Sequence, residues 1–192
     1  MSALIVLLPA QPVGPSTEFE YVLTLDGSNV QSRGSAQAAL LPAPSGAGAE
    51  VVALVPPAMI SWHKVELPKG TAAGSPRLRV VLEGLLEDQL LDEPDSVHLA
   101  LQPNARAAAP LWVGACDRAW LRSAVQALEG AELPASRIVP EFAPEGDPVL
   151  HALGDPQRPL LVLRQPGSGN AASCVARAAA AACLARTDSF AG

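Results

Sequence analysis

The residue types that do chemistry are sparse and scattered in this chain. His63, His98 and His151 lie far apart, and none has a carboxylate or cysteine at ligand spacing. A metal site needs ligands that converge, so each histidine is expected to be structural. Cys116, Cys174 and Cys183 show no CxxC spacing and cannot all pair, which fits a reducing compartment and small apolar packing. No Gly-x-Ser-x-Gly elbow occurs, and Gly167-Ser168-Gly169 matches only part of one. That stretch is no P-loop either, because a P-loop needs a lysine on the β- and γ-phosphates and none follows Lys69. It reads as a hairpin turn. Asp-x-Gly turns hold nucleotide phosphates and magnesium in several ATPases, but in Asp26-Gly27-Ser28 the Asp and Gly are adjacent. That predicts a type I′ turn.

One constellation remains. Glu87, Asp88, Asp92, Glu93 and Asp95 place five carboxylates within nine residues, with Glu83 one turn earlier and Arg77 and Arg79 ahead of them. Such a run is ordinarily a solvated face. Carboxylates near a helix C-terminus oppose the dipole at roughly a few tenths of a kcal/mol each, a penalty compatible with a face kept for a partner.

These carboxylates sit on the strongest helical pattern in the chain. Ser75 is placed to cap it and Pro76 to occupy its first position. Leu78, Val81, Leu82, Leu85, Leu86 and Leu90 form one apolar stripe, opposite Arg79, Glu83, Glu87, Asp88 and Asp92, until Pro94 stops the helix. A second helix follows Asp117 as its cap, carries Trp120, Leu121, Val125 and Leu128 inward, and ends at Gly130.

Strands are expected elsewhere. Leu4–Leu8 is a continuous apolar run of the kind covered on both faces. Phe19–Leu25 alternates, with Phe19, Tyr21, Leu23 and Leu25 on one side, and Val30–Ser35 returns from the turn. Ala36–Leu41 predicts a short helix before Pro42. Val51–Val55, Met59–Leu67, Val97–Leu101, Leu111–Ala115, Arg137–Glu141 and Leu160–Leu163 read as further strands. Residues 171–185 are ambiguous between alanine-rich helix and strand. The order is mixed α/β with some antiparallel pairing.

Composition removes several functions. Thirteen basic residues against nineteen acidic ones leave a net charge of −6, with no basic cluster, and only 4% of residues are aromatic. Nucleic-acid binding needs a basic stripe or stacking rings, so it is not expected. No apolar run approaches the length of a transmembrane helix. Leu4–Leu8 lacks the basic flank of a signal peptide and reads as a strand.

The segments Ile60-Ser61-Trp62-His63-Lys64-Val65-Glu66-Leu67-Pro68, Leu85-Leu86-Glu87-Asp88-Gln89-Leu90-Leu91-Asp92-Glu93-Pro94 and Val97-His98-Leu99-Ala100-Leu101, with Trp120-Leu121 beyond them, carry a resemblance. Over residues 1–170 the chain resembles the cytoplasmic part of the type II secretion system inner-membrane protein L family. The resemblance implies an actin-like ATPase fold, two ribonuclease-H-like lobes with a small inserted α+β subdomain. Residues 1–57 with 117–146 would form the first lobe, 58–116 the strand–helix–strand–strand insertion, and 147–192 the start of the second lobe.

In nucleotide-binding members of that superfamily each lobe's first hairpin carries an Asp-x-Gly phosphate motif. Here the first lobe's strand ends Leu7-Leu8-Pro9 without aspartate, and the second lobe's hairpin offers Arg164 and Gln165. The resemblance therefore implies no enzyme, no metal and no cofactor, but a scaffold that recruits the N-terminal domain of the secretion ATPase, protein E. Protein M and other platform components would be met through regions beyond this chain, and a homodimer is compatible with such a role. Glu83, Glu87, Asp88, Asp92 and Glu93 lie in the insertion and are the expected ATPase contact. The protein would act on the cytoplasmic side of the bacterial inner membrane. The alternative is an actin-like nucleotide-binding protein or ATPase, such as a relative of type IV pilus protein M. On this view 192 residues are too few for both lobes, so the length reads as part of a longer protein.

Overall fold

The structure, a computed structural model, describes residues 1–71, 74–103, 109–144, 147–153, 160–164 and 174–176. Three strands open the chain as a meander: β1 (Ala3–Leu7), β2 (Glu18–Thr24) and β3 (Val30–Gln37). β4 (Glu50–Val55) then runs parallel to β1, and β8 (Arg137–Pro140) parallel to β4, giving the order β3-β2-β1-β4-β8. Register explains the core. Leu4 lies opposite Leu23 and beside Val51, and Val6 opposite Tyr21 and beside Ala53. Alternation puts these side chains on one face.

That face is closed by α2 (Arg118–Gly130), whose Trp120, Leu121, Ala124 and Leu128 are buried against Leu4, Val6, Leu8, Phe19, Val51 and Ala53. Each large side chain so buried contributes about 1.5–3 kcal/mol. The Oδ1 of Asp117 accepts from the Trp120 backbone N–H at 2.6 Å, as the sequence predicts for an N-cap. The C-terminus is not closed by Gly130. Glu132 takes the left-handed conformation at φ 60°, with Leu133 N donating to Leu128 O and Glu132 N to Glu129 O at 3.0 Å each. This is a Schellman closure with buried Leu128 and Leu133 as its apolar pair.

Between β4 and α2 the chain builds a second unit: β5 (Ser61–Glu66), α1 (Leu78–Leu86), β6 (Val97–Leu101) and β7 (Pro110–Asp117). Its sheet is antiparallel in the order β5-β7-β6. It has its own core, in which Val65, Leu67, Leu111 and Val113 of the sheet side meet Leu82 and Leu86 of α1. A third antiparallel sheet, β11-β10-β9, is formed by β9 (Val149–Leu153), β10 (Leu160–Arg164) and β11 (Cys174–Ala176).

Several expectations need correction. α1 begins at Leu78 because Ser75 and Pro76 form a preceding turn: Ser75 Oγ accepts from Arg77 N at 3.3 Å and Ser75 O from Leu78 N at 3.0 Å. It ends at Leu86, well short of Pro94. Ala38–Leu40 makes one 3-10 turn, since Pro42 and Pro44 leave too little chain to propagate a helix. Leu25 is 56% exposed, beyond the end of β2. The connection after it is a five-residue loop closed by Leu25 N to Asn29 O at 3.2 Å, not a two-residue type I′ turn. β1 is buried on one face only, because Ile5 and Leu7 are half-buried. β9 is a strand that the sequence pattern does not predict. β11 settles the strand alternative over Cys174–Ala176, and the Gly167-Ser168-Gly169 turn and the rest of the tail lie outside the described residues.

Candidate functional site

The acidic residues are not on one helix face. Glu83 lies on α1 and pairs with Arg79 at 2.7 Å. Arginine preceding glutamate at i,i+4 is the weaker orientation, at the low end of the roughly 0.2–0.5 kcal/mol such pairs contribute. Glu87, Asp88, Asp92 and Glu93 are exposed on the turn and bend that follow α1. Gln89 N donates to Leu86 O at 2.8 Å in place of Leu85 O, an i→i−3 bond that breaks the helical ladder, and Leu90 N shares the same carbonyl at 2.9 Å. Two carboxylates at a helix end favour this early stop, because they oppose the dipole. Gln89 is held from outside: its Oε1 is 3.3 Å from His63 Nδ1 on β5, and His63 Nε2 is 2.9 Å from Ser61 Oγ.

Further along, Arg79 Nη2 donates to Pro94 O at 2.9 Å and Ser96 Oγ to Glu93 O at 2.7 Å. The segment is thus anchored at Gln89, Glu93 and Pro94 while its carboxylates face water. Leu91 is wholly exposed among them, whereas Leu90 packs against the core of the second unit. His63 is buried, and that burial pushes its imidazole below the usual range, with the Gln89 bond acting weakly the other way.

The position where a phosphate hairpin would sit lies between β1 and β2. Its groove, about 430 Å³, is lined by Leu7, Leu8, Pro9, Ala10, Gln11, Glu18, Glu20 and Pro56. The lining offers two carboxylates and no cationic side chain, so a triphosphate would meet repulsion there. Glu18 Oε2 already accepts from Ser35 Oγ at 2.9 Å, and the Pro9 carbonyl from Trp120 Nε1 at 2.9 Å. Asp26 is equally committed. Its Oδ1 accepts from Ser28 N at 2.9 Å and Asn29 N at 2.7 Å, and its Oδ2 from Asn29 Nδ2 at 2.6 Å. These donors hold its carboxyl at about 2. Among the described residues no group of three or more His, Cys, Asp or Glu converges as a metal site requires. Arg164 closes β10, and Gln165 lies outside the described residues.

Two other surfaces go beyond the sequence reading. The sheet face opposite α2 carries a cavity of about 550 Å³ lined by Ile5, Leu7, Val22 and Leu54 with Glu20, Arg33 and Glu141 at its sides. Burial raises the Glu141 carboxyl, Glu20 adds to the rise, and His151 opposes it. The second surface is a groove of about 420 Å³ between α1, β6, α2 and β8, bordered by Arg79, His98, Arg118 and Arg122 over Leu121, Val125 and Ile138. Burial and then the charges of Arg118 and Arg79 depress the His98 imidazole, as convergent cations require. Arg118 and Arg122, four apart on a helix, are the signal for it in the sequence.

A mixed α/β chain with the sheet order β3-β2-β1-β4-β8 and a unit inserted before α2 has the actin-like ATPase type of fold. The chain belongs to the type II secretion system protein L family, which matches residues 16–144. Membership assigns it to protein secretion by the type II system. Among solved structures it is similar to the cytoplasmic domain of EpsL, an inner membrane component of the type II secretion system of Vibrio cholerae. That match has TM-score 0.60 and 21% identity, and covers 90% of this chain and 71% of the other. A PilM-PilN type IV pilus biogenesis complex aligns with TM-score 0.46 and 13% identity over 88% of this chain and 59% of the other. No curated protein matches the chain. No helix among the described residues is long and apolar enough to cross a membrane.

Proposed function

We propose that this chain is a non-catalytic scaffold on the cytoplasmic side of the inner membrane, where it recruits the secretion ATPase, protein E, to the platform. Residues 1–57 with 117–146 act as the first lobe, 58–116 as the inserted docking unit, and 147–192 as the start of the second lobe. The ATPase's N-terminal domain docks at or beside Glu83, Glu87, Asp88, Asp92 and Glu93. The observation that carries this reading is the anchored acidic segment. A chain that pins Gln89, Glu93 and Pro94 while leaving Glu87, Asp88, Asp92 and Leu91 in water presents an ordered polar and apolar surface. Ordered exposed groups lose less entropy on association than mobile ones.

The test is a calorimetric titration of the N-terminal domain of the cognate ATPase into this chain. Charge reversal at Glu87, Asp88, Asp92 and Glu93 together weakens binding and flattens its salt dependence. Unchanged affinity would remove the acidic segment from the contact. Nucleotide binding is measured beside it by thermal shift with and without magnesium, and a clear rise in Tm would replace the scaffold reading with the ATPase one.

A further inference from the structure

The groove bordered by Arg79, Arg118 and Arg122 gathers three arginines in a chain of net charge −6, with the His98 imidazole, which its burial and the charges of Arg118 and Arg79 keep from protonation, beside them. The arginines come from two helices: Arg79, paired with Glu83, is on α1, and Arg118 and Arg122 stand one turn apart on α2, while the uncharged His98 is on β6. Among the described residues neither Arg118 nor Arg122 has a carboxylate at ion-pair distance, although acidic residues outnumber basic ones. Arg118 Nη2 donates to the Val97 carbonyl at 3.0 Å, which fixes its guanidinium at the groove wall. Arg122 is exposed. Between the guanidiniums lie buried Leu121, half-buried Val125 and the 44% exposed Ile138.

We propose that this groove binds an acidic peptide segment of a partner protein, its carboxylates on Arg118 and Arg122 and one of its apolar side chains on Leu121, Val125 and Ile138. The planar fork of arginine matches a carboxylate bidentately, and both side chains have donors to spare. The apolar floor between the charges selects a chain that alternates carboxylates with an aliphatic group. Nucleic acid is disfavoured, since no aromatic side chain lines the groove and a long phosphate backbone carries its charge beyond the two arginines onto the acidic rest of the molecule, where a short peptide does not reach. An anionic bilayer, being extended, would meet the same repulsion beyond the groove. The surface is separate from the acidic segment, so the proposal does not rest on ATPase docking there.

The probe is a fluorescein-labelled nine-residue peptide with aspartate or glutamate at five positions and leucine at two, followed by anisotropy against the full chain. Saturable binding is expected at low salt, weakening as salt shortens the screening length to about 8 Å and below. Arg122→Glu lowers the affinity by about tenfold or more, equivalent to about 1.4 kcal/mol, while Arg33→Glu on the far sheet edge does not. An unchanged Tm for Arg122→Glu shows that the variant folds. The amide version of the peptide, with asparagine and glutamine in place of the acids, does not bind. Equal binding by the amide peptide, or insensitivity to Arg122→Glu, overturns the proposal. So does Arg122-dependent binding to phosphatidylglycerol vesicles without peptide binding, or Arg122-dependent self-association in sedimentation without it.

Discussion

The indole Nε1 of Trp120 donates to the carbonyl of Pro9 at 2.9 Å, joining α2 to the start of the β1–β2 connection across 111 residues of sequence. The bond occupies a backbone acceptor in the lining of the groove between β1 and β2. Trp120→Phe keeps most of the apolar contact but orphans that carbonyl. The expected loss is about 1–2 kcal/mol, read as a lower urea midpoint at unchanged m-value. No loss would mean that the bond is exchanged for water without penalty.

Closure of α2 supplies a prediction of opposite sign. Glu132 sits at φ 60°, where a side chain costs about 1–2 kcal/mol that glycine does not. Glu132→Gly should therefore raise stability by up to about 1 kcal/mol. Gly130 is helical, and a methyl group added to its Cα would meet nothing within 4 Å, so Gly130→Ala should add about 0.5–1 kcal/mol. Thermal melts of each variant test the two positions separately.

The end of α1 separates two neighbouring leucines. Leu86 is fully buried, and Leu86→Ala should cost about 2–5 kcal/mol through the cavity it leaves. Leu91 is wholly exposed, and Leu91→Ala should change stability by no more than about 0.5 kcal/mol. Equal costs in denaturant titrations would place Leu91 inside and contradict the turn after Leu86.

Acidification acts in successive windows, first through His63 and, with the same sign, His98, and then through Asp26. The folded His63 resists protonation, so below about pH 6.5 the unfolded state binds the extra proton and stability falls. Urea midpoints should be lower at about pH 5.5 than at about pH 7.5, by less in His63→Gln. Asp26, held at about 2, contributes stability that persists above the unfolded value near 4 and is lost as pH falls from there through 2. Glu141 works against His63, because its raised carboxyl takes up its proton at higher pH in the folded state than in the unfolded one, and it adds no slope in the Asp26 window, where it is protonated in both states. Side-chain NMR titrations of His63, His98, Asp26 and Glu141 resolve the contributions.

Local pattern is enough for the elements whose neighbours in sequence determine them. Leu4, Val6, Val51 and Ala53 announce β1 and β4 by continuous apolar runs, and Asp117 before Arg118-Ala119-Trp120 announces the cap of α2. The actin-like fold and the secretion family are legible through the resemblance of residues 60–68, 85–94 and 97–101. The end of α1 is not. The leucine stripe continues to Leu90, but Gln89 is drawn aside by His63, 26 residues away, and the last helical bonds give way to a turn. Composition therefore finds the carboxylates but misplaces their conformation. The basic groove escapes the sequence for a related reason, since only Arg118 and Arg122 share an element while Arg79 and His98 arrive through tertiary packing.

Asp117 is both the last residue of β7 and the N-cap of α2, so no loop separates the inserted sheet from the helix on the first. A tension applied to the inserted unit has no slack to take up at that junction. It passes along β7, where it loads the ladders to β5 and β6 in shear, and directly into the axis of α2 against the core of the first sheet. The junction is a stiff mechanical coupling, through which a load on the inserted unit reaches the first sheet without a compliant linker between them.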